Sequence, residues 1–131
     1  MPPQQNVYAK PVRWVGSSRD DLRAFAKDVQ RRVGGALWDA QIGCKAPFAK
    51  PLKEFGGASV LEIVDDFDGS TYRAVYTVRF ARAVYVLHAF QKKSKRGIAT
   101  PAAELNLVKE RLTRAAKDYE QWLKGELTTS R

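Results

Sequence analysis

Apolar and polar positions along the chain change period several times, and the changes mark out its elements. Residues 7–15 (VYAKPVRWV) read as a short strand, with Pro11 confined to its start or to a sheet edge because proline cannot donate to a ladder. Ser17 and Ser18 offer an N-cap, and Asp20 and Asp21 suit the positive end of the helix that follows. Leu22, Phe25, Ala26, Val29 and Val33 form one stripe at helical spacing, which Gly34-Gly35 is expected to stop. Residues 36–42 predict a second, shorter helix ended by Gly43, giving a helical hairpin.

A connector punctuated by proline and glycine follows (KAPFAKPLKEFGG), carrying Lys45, Lys50 and Lys53. Residues 59–65, 71–80 and 83–91 then alternate with period two and are joined by short turns, at DFDGS and around Ala81-Arg82, which predicts an antiparallel meander. Thr100 as N-cap and Pro101 at the first helical position announce a last helix. Its Leu105, Val108, Leu112, Ala115, Tyr119 and Trp122 recur at spacings of three and four and make one buried seam. The expected fold is α+β: an N-terminal strand and helical hairpin packed against one side of a small, mainly antiparallel sheet, with a C-terminal helix. One domain over residues 1–131 is expected, with 1–6 and 125–131 flexible.

Charge changes this picture most. The 131 residues hold 23 Lys and Arg against 14 Asp and Glu, a formal charge of +9, which points to a polyanionic partner. Residues 69–103 contain no acid, yet Arg73, Arg79, Arg82, Lys92, Lys93, Lys95 and Arg96 lie there. A block of one sign favours a binding site over a merely solvated surface. Period-two geometry puts Arg73, Val75, Thr77 and Arg79 on one face and the uncharged Tyr72, Ala74, Tyr76, Val78 and Phe80 on the other. The arginines are therefore expected on an open sheet face, beside the strand that delivers Lys92 and Lys93. An arginine fork suits phosphate, and Phe90 and Tyr85 are candidates to stack a base.

Other chemistry is scarce. The lone His88 is expected to share a mainly apolar face with Val84, Val86 and Phe90, and its count rules out a two-histidine acid–base pair. Cys44 cannot form an internal disulfide. Asp65, Asp66 and Asp68 read as turn residues, no Cys/His spacing suggests a metal, and no glycine-rich phosphate signature occurs, so neither metal nor cofactor is expected. No apolar run is long enough to cross a bilayer, and MPPQQNVYAK lacks a signal-peptide core, which predicts a cytoplasmic protein without a membrane partner.

The stretch from Leu52 with Phe55-Gly56-Gly57 and Leu61-Glu62, through Tyr72-Arg73 with Tyr76, to Phe90 with Lys92-Lys93 and Lys95 before Pro101, resembles the phage-derived, HigB-like branch of the RelE/ParE toxin superfamily. The resemblance covers nearly the whole chain. It implies the toxin of a type II toxin–antitoxin module that enters the ribosome and cuts mRNA without metal, the 2′-hydroxyl attacking the adjacent phosphate. It implies a cognate antitoxin, expected to be a helix-turn-helix protein, with ribosome and mRNA as further partners. On that resemblance Arg73 would stabilise the transition state, and Lys92, Lys93 and Lys95 would move protons or bind RNA. Arg79, Arg96, Tyr85, Phe90 and Lys53 would contact RNA, with Tyr85 the nearest candidate acid. The C-terminal Asp-Tyr-His arrangement of some HigB relatives is missing. The alternative is a gyrase-directed toxin of the ParE type, or a basic binding module without catalysis.

Overall fold

The computed structural model describes residues 8–92 and 100–129. Strand β1 (Val12–Trp14) leads into helices α1 (Ser18–Arg23) and α2 (Lys27–Gln41). A two-residue strand β2 (Lys50–Pro51) and a 3-10 turn precede the meander β3 (Val60–Phe67), β4 (Ser70–Thr77) and β5 (Val84–Lys92). Helix α3 (Ala102–Thr129) closes the fold. The five strands are ordered β1-β5-β4-β3-β2, with β1 parallel to β5 and all other pairs antiparallel.

The fold is α+β, as its pattern predicts, and the meander follows its turn chemistry. Phe67 pairs with Ser70 across a two-residue loop, where Asp68 and Gly69 have φ of 51° and 80°. Two consecutive residues at positive φ match the twist of a tight hairpin, and Asp-Gly tolerates them. The turn is therefore shorter than DFDGS, and Asp65 and Asp66 belong to β3. Pro11 directly precedes β1, an edge strand, and its carbonyl accepts from the Val84 N–H.

The helical hairpin breaks in a different place from the one expected. The chain leaves the helix at residues 24–26, and α2 runs straight through Gly34-Gly35. The Gln30 side-chain amide donates to the carbonyls of Arg23 and Phe25, serving groups that the break frees. Both glycines are exposed, while Val29, Val33, Ala36, Leu37 and Ala40 carry the buried stripe past them. A glycine in a helix costs about 1 kcal/mol against alanine, less than the burial on the other face contributes. Helix α3 likewise continues through Gly125 to Thr129, where a frayed tail was expected.

Helices cover both faces of the sheet, not one. Phe25, Val29, Val33 and Leu37 pack on Leu61, Ile63, Tyr72, Ala74, Tyr76 and Val86. The seam of α3 packs on the opposite side, against Val60, Val75, Tyr85 and Leu87. The face expected to be open is thus the second core, and Arg73, Val75 and Thr77 are all buried in it. A bulge matters equally. Val75 pairs with His88 but Tyr76 pairs with Val86, so Leu87 is an extra residue in β5. Alternation shifts there: Tyr85 and Leu87 face α3, and so do His88 and Phe90 beyond the bulge, whereas Val84, Val86 and Ala89 lie in the other core. His88 therefore does not share the side of Val84 and Val86.

Candidate functional site

Arg73 sits mid-sheet, between Val64 of β3 and Phe90 of β5. It is 5% exposed. Its Nη1 lies 3.4 Å from both carboxylate oxygens of Glu62 and donates to Thr100 Oγ1 at 3.0 Å. Thr100 in turn donates to Glu62 Oε2 at 2.7 Å. A buried charge needs such company, because desolvation alone costs several kcal/mol.

Thr100 gives this triangle its interest. It is the first described residue after the basic segment, and Lys92, the last before it, pairs with Thr71, two residues from Arg73. Both ends of the basic segment are thus anchored beside the buried arginine. Lys93, Lys95 and Arg96 lie outside the described residues.

A second polar group adjoins the first. Phe90 is half-buried and stacks on His88, with centroids 4.9 Å apart at 24°. His88 Nε2 is 2.6 Å from Glu104 Oε1, and its Nδ1 is 3.3 Å from Arg111 Nη1. Arg111 also donates to the Leu87 carbonyl at 3.0 Å and to Ser17 Oγ at 3.2 Å, so it ties the bulge to the start of α1. Burial lowers the Arg111 pKa. Gly16, at φ +57°, lies against this guanidinium, and a Cβ there would stand 2.9 Å from Arg111 Cζ. Beyond the end of β1 a shallow cleft of about 360 Å³ opens along β5, lined by Asp21, Phe25, His88, Phe90, Gln91 and Glu104 among others.

Three expected RNA contacts lie elsewhere. Tyr85 is fully buried, so it offers no stacking face. Its hydroxyl donates to Asp118 Oδ2 at 2.5 Å, and Arg13 Nε donates to both groups, at 3.1 and 2.8 Å. Burial, reinforced by Asp118, pushes the phenol well above its ordinary range, which keeps it protonated and makes it a poorer acid. Arg79 is exposed and reaches Ser59 Oγ at 3.3 Å, at the far end of β4 from Lys92. Lys53 is exposed at that same end, since neighbouring Leu52 bonds to Val60, the partner of Thr77. Neither belongs with Arg73.

Glu62, Thr100, Glu104 and Arg111 are the site residues that sequence reasoning missed. Glu62 had a signal, as one acid inside the apolar run VLEIV. Arg111 had another, one residue from the seam position Leu112 and three from Val108. Among the described residues, no cluster of His, Cys, Asp or Glu is placed to hold a metal ion.

Residues 20–113, from α1 to the middle of α3, match the family model of the phage-derived protein Gp49-like. The chain belongs to the Gp49-like family. The matched span holds Glu62, Arg73, His88, Phe90, Thr100, Glu104 and Arg111, but stops short of Asp118 and Trp122. No curated protein matches the chain. Among solved structures, a double mutant of the E. coli toxin RelE in the free state aligns at 17% identity over 81% of this chain and 97% of that one, with a TM-score of 0.50. The RelBE2 toxin–antitoxin complex from Mycobacterium tuberculosis aligns at 18% identity over 70% of this chain and 100% of that one, with a TM-score of 0.43. This Gp49-like chain therefore has the RelE type of fold.

Proposed function

We propose that this Gp49-like protein is the toxin of a toxin–antitoxin pair and cuts mRNA on the ribosome. The observation that carries the reading is the junction at Arg73, where a buried guanidinium donates to Thr100, just after the basic segment, and lies two ladder pairs from Lys92 at its start, on a fold shared with the toxin RelE. In the proposed reaction the 2′-oxygen attacks the adjacent phosphorus, and charge builds on the non-bridging oxygens. Arg73, with Lys92, Lys93 and Lys95, supplies the cations for that charge. Phe90 offers an aromatic surface for a base, and Arg96 adds phosphate contacts. The partners in this reading are ribosome, mRNA and a cognate antitoxin of the helix-turn-helix kind, with an acidic segment to cover the basic surface. Its setting is the cytoplasm.

Mapping transcript ends by primer extension after induction tests this reading. New ends inside translated messages are expected, lost with Arg73→Ala and with the pair Lys92→Ala and Lys93→Ala. Cleavage by the double lysine variant at the wild-type rate would remove the lysines from the site. A second reading draws on the Glu62 carboxylate that faces Arg73: a toxin that docks on a protein such as gyrase and cuts nothing. Growth arrest with DNA-damage signalling and intact mRNA would favour it.

A further inference from the structure

Contacts around His88 form an oriented chain. Arginine only donates, so Arg111 Nη1 makes His88 Nδ1 the acceptor. The ring hydrogen then sits on Nε2 and is donated to Glu104 Oε1 at 2.6 Å. Arg111 is itself fixed by the Leu87 carbonyl and Ser17. The chain thus runs from a buried guanidinium through a buried imidazole to a carboxylate. Only its last member reaches solvent: side-chain exposure is 7% for His88 and 32% for Glu104.

Such an arrangement holds a carboxylate in one rotamer and leaves its second oxygen for another partner. Glu104 lies on the cleft beside Phe90. Phe90 is directly opposite Arg73 in the ladder, and Thr100, which Arg73 touches, stands four residues before Glu104. A nucleotide stacked on Phe90 would therefore have a cation on one side and a carboxylate on the other. Asp21, from α1, also lines the cleft and disfavours a phosphate there, so the phosphodiester is directed to the Arg73 side.

We infer that Glu104 is the general base of the cleavage reaction, and that His88 is the positioning residue that aims it. This rests on the ribonuclease reading above. Glu104 takes the proton of the 2′-hydroxyl as the 2′-oxygen bonds to phosphorus. The bond from phosphorus to the 5′-oxygen then breaks, and that oxygen takes a proton from water. A 2′,3′-cyclic phosphate and a 5′-hydroxyl result, and Glu104 returns its proton to solvent.

The test measures single-turnover cleavage of mRNA on ribosomes programmed with purified protein. Glu104→Gln keeps an acceptor for His88 but cannot take the proton. It should lower the cleavage rate about 100-fold, within the usual range for a lost general base. Its binding to ribosomes carrying mRNA with a 2′-deoxy substitution at the cut should be unchanged. His88→Ala should lower the saturating single-turnover rate about tenfold with the half-saturating protein concentration held, and His88→Gln, whose amide can still donate to Glu104, should recover most of that loss. If Glu104→Gln cuts at the wild-type rate, Glu104 is not the base, although the ribonuclease reading survives. If His88→Gln is no better than His88→Ala, His88 does not act through that hydrogen bond. A wild-type protein that binds ribosomes and cuts nothing overturns both the base and the ribonuclease reading.

Discussion

The two ends of α3 hold the sheet by different kinds of polar contact. Near its C-terminal half, Asp118 pairs with Arg13 while Tyr85 donates to the same oxygen. Both charges there stay at the surface, with side chains 46% and 32% exposed, and only a neutral phenol enters the core. Phe80 and Tyr119 pack against it, and Trp122 packs on Tyr119. Near its N-terminal end, Arg73 and Arg111 are themselves buried, at 5% and 8%. Fixing a helix to a sheet needs only the first arrangement. Burying two guanidinium groups costs desolvation that adhesion does not require, and such costs cluster at functional sites. The family match divides the same way, covering the N-terminal cluster and stopping before Asp118.

The sharpest way to break this contrast is Arg73→Ala. It leaves the Glu62 carboxylate buried without its cation, which should cost about 3 kcal/mol of stability. Pairing it with Glu62→Gln removes the orphaned charge, and thermal unfolding should show most of that stability restored. Cleavage should stay lost, by about 100-fold or more, in single and double variant alike. If activity returns together with stability in the double variant, the Arg73 cluster is structural like the other.

Next in size comes Gly16→Ala. The φ of +57° and the approach to Arg111 both oppose a side chain, and an expected loss of about 2 kcal/mol would be read by denaturant titration. The same change at Gly34 or Gly35 meets nothing within 4 Å and should stabilise α2 by about 1 kcal/mol. That glycine pair marks where local sequence stops deciding the structure. A double glycine stops a helix only where it lies at the end of the buried stripe, and here Ala36, Leu37 and Ala40 continue that stripe. The meander and the α3 seam were legible because their periods are local properties of the chain. The bulge at Leu87 and the covering of the Arg73 face were not, because each depends on which element packs on which. Lys92 and Phe90 were legible as candidates by type and place, but the partners of Arg73 come from 11 and 27 residues away.

Tyr85→Phe sharpens the comparison from the other side. It should cost about 1–2 kcal/mol through the lost hydrogen bond and leave cleavage within twofold of wild type. Because burial raises its folded pKa, the contribution of Tyr85 is complete below its unfolded value of about 10 and is lost as pH rises beyond it. Asp118 behaves oppositely. Arg13 first, and Tyr85 as well, hold it below the ordinary carboxylate range, so its contribution is present above about pH 4 and is lost as pH falls through its folded value. Unfolding curves against pH should lose part of the alkaline limb in Tyr85→Phe and part of the acid limb in Asp118→Asn. A tenfold drop in cleavage with Tyr85→Phe would place this end within the site.

The smallest effects are expected of Arg79→Ala and Lys53→Ala. Arg79 lies six residues beyond Arg73 along nearly extended chain, roughly 20 Å away, and Lys53 sits near that same end of the sheet. At physiological salt the Debye length is about 8 Å, so neither charge would act from there on a phosphate held at Arg73. Each variant should change cleavage less than twofold. Both could still lower ribosome affinity slightly, with a shallower salt dependence, if RNA runs the length of the protein. A loss that appears in affinity alone keeps chemistry at the N-terminal end of α3 and makes the far end a docking surface. A tenfold loss in the single-turnover rate would mean that the positive charge works as one field across the whole sheet, and that burial at Arg73 does not single out the site.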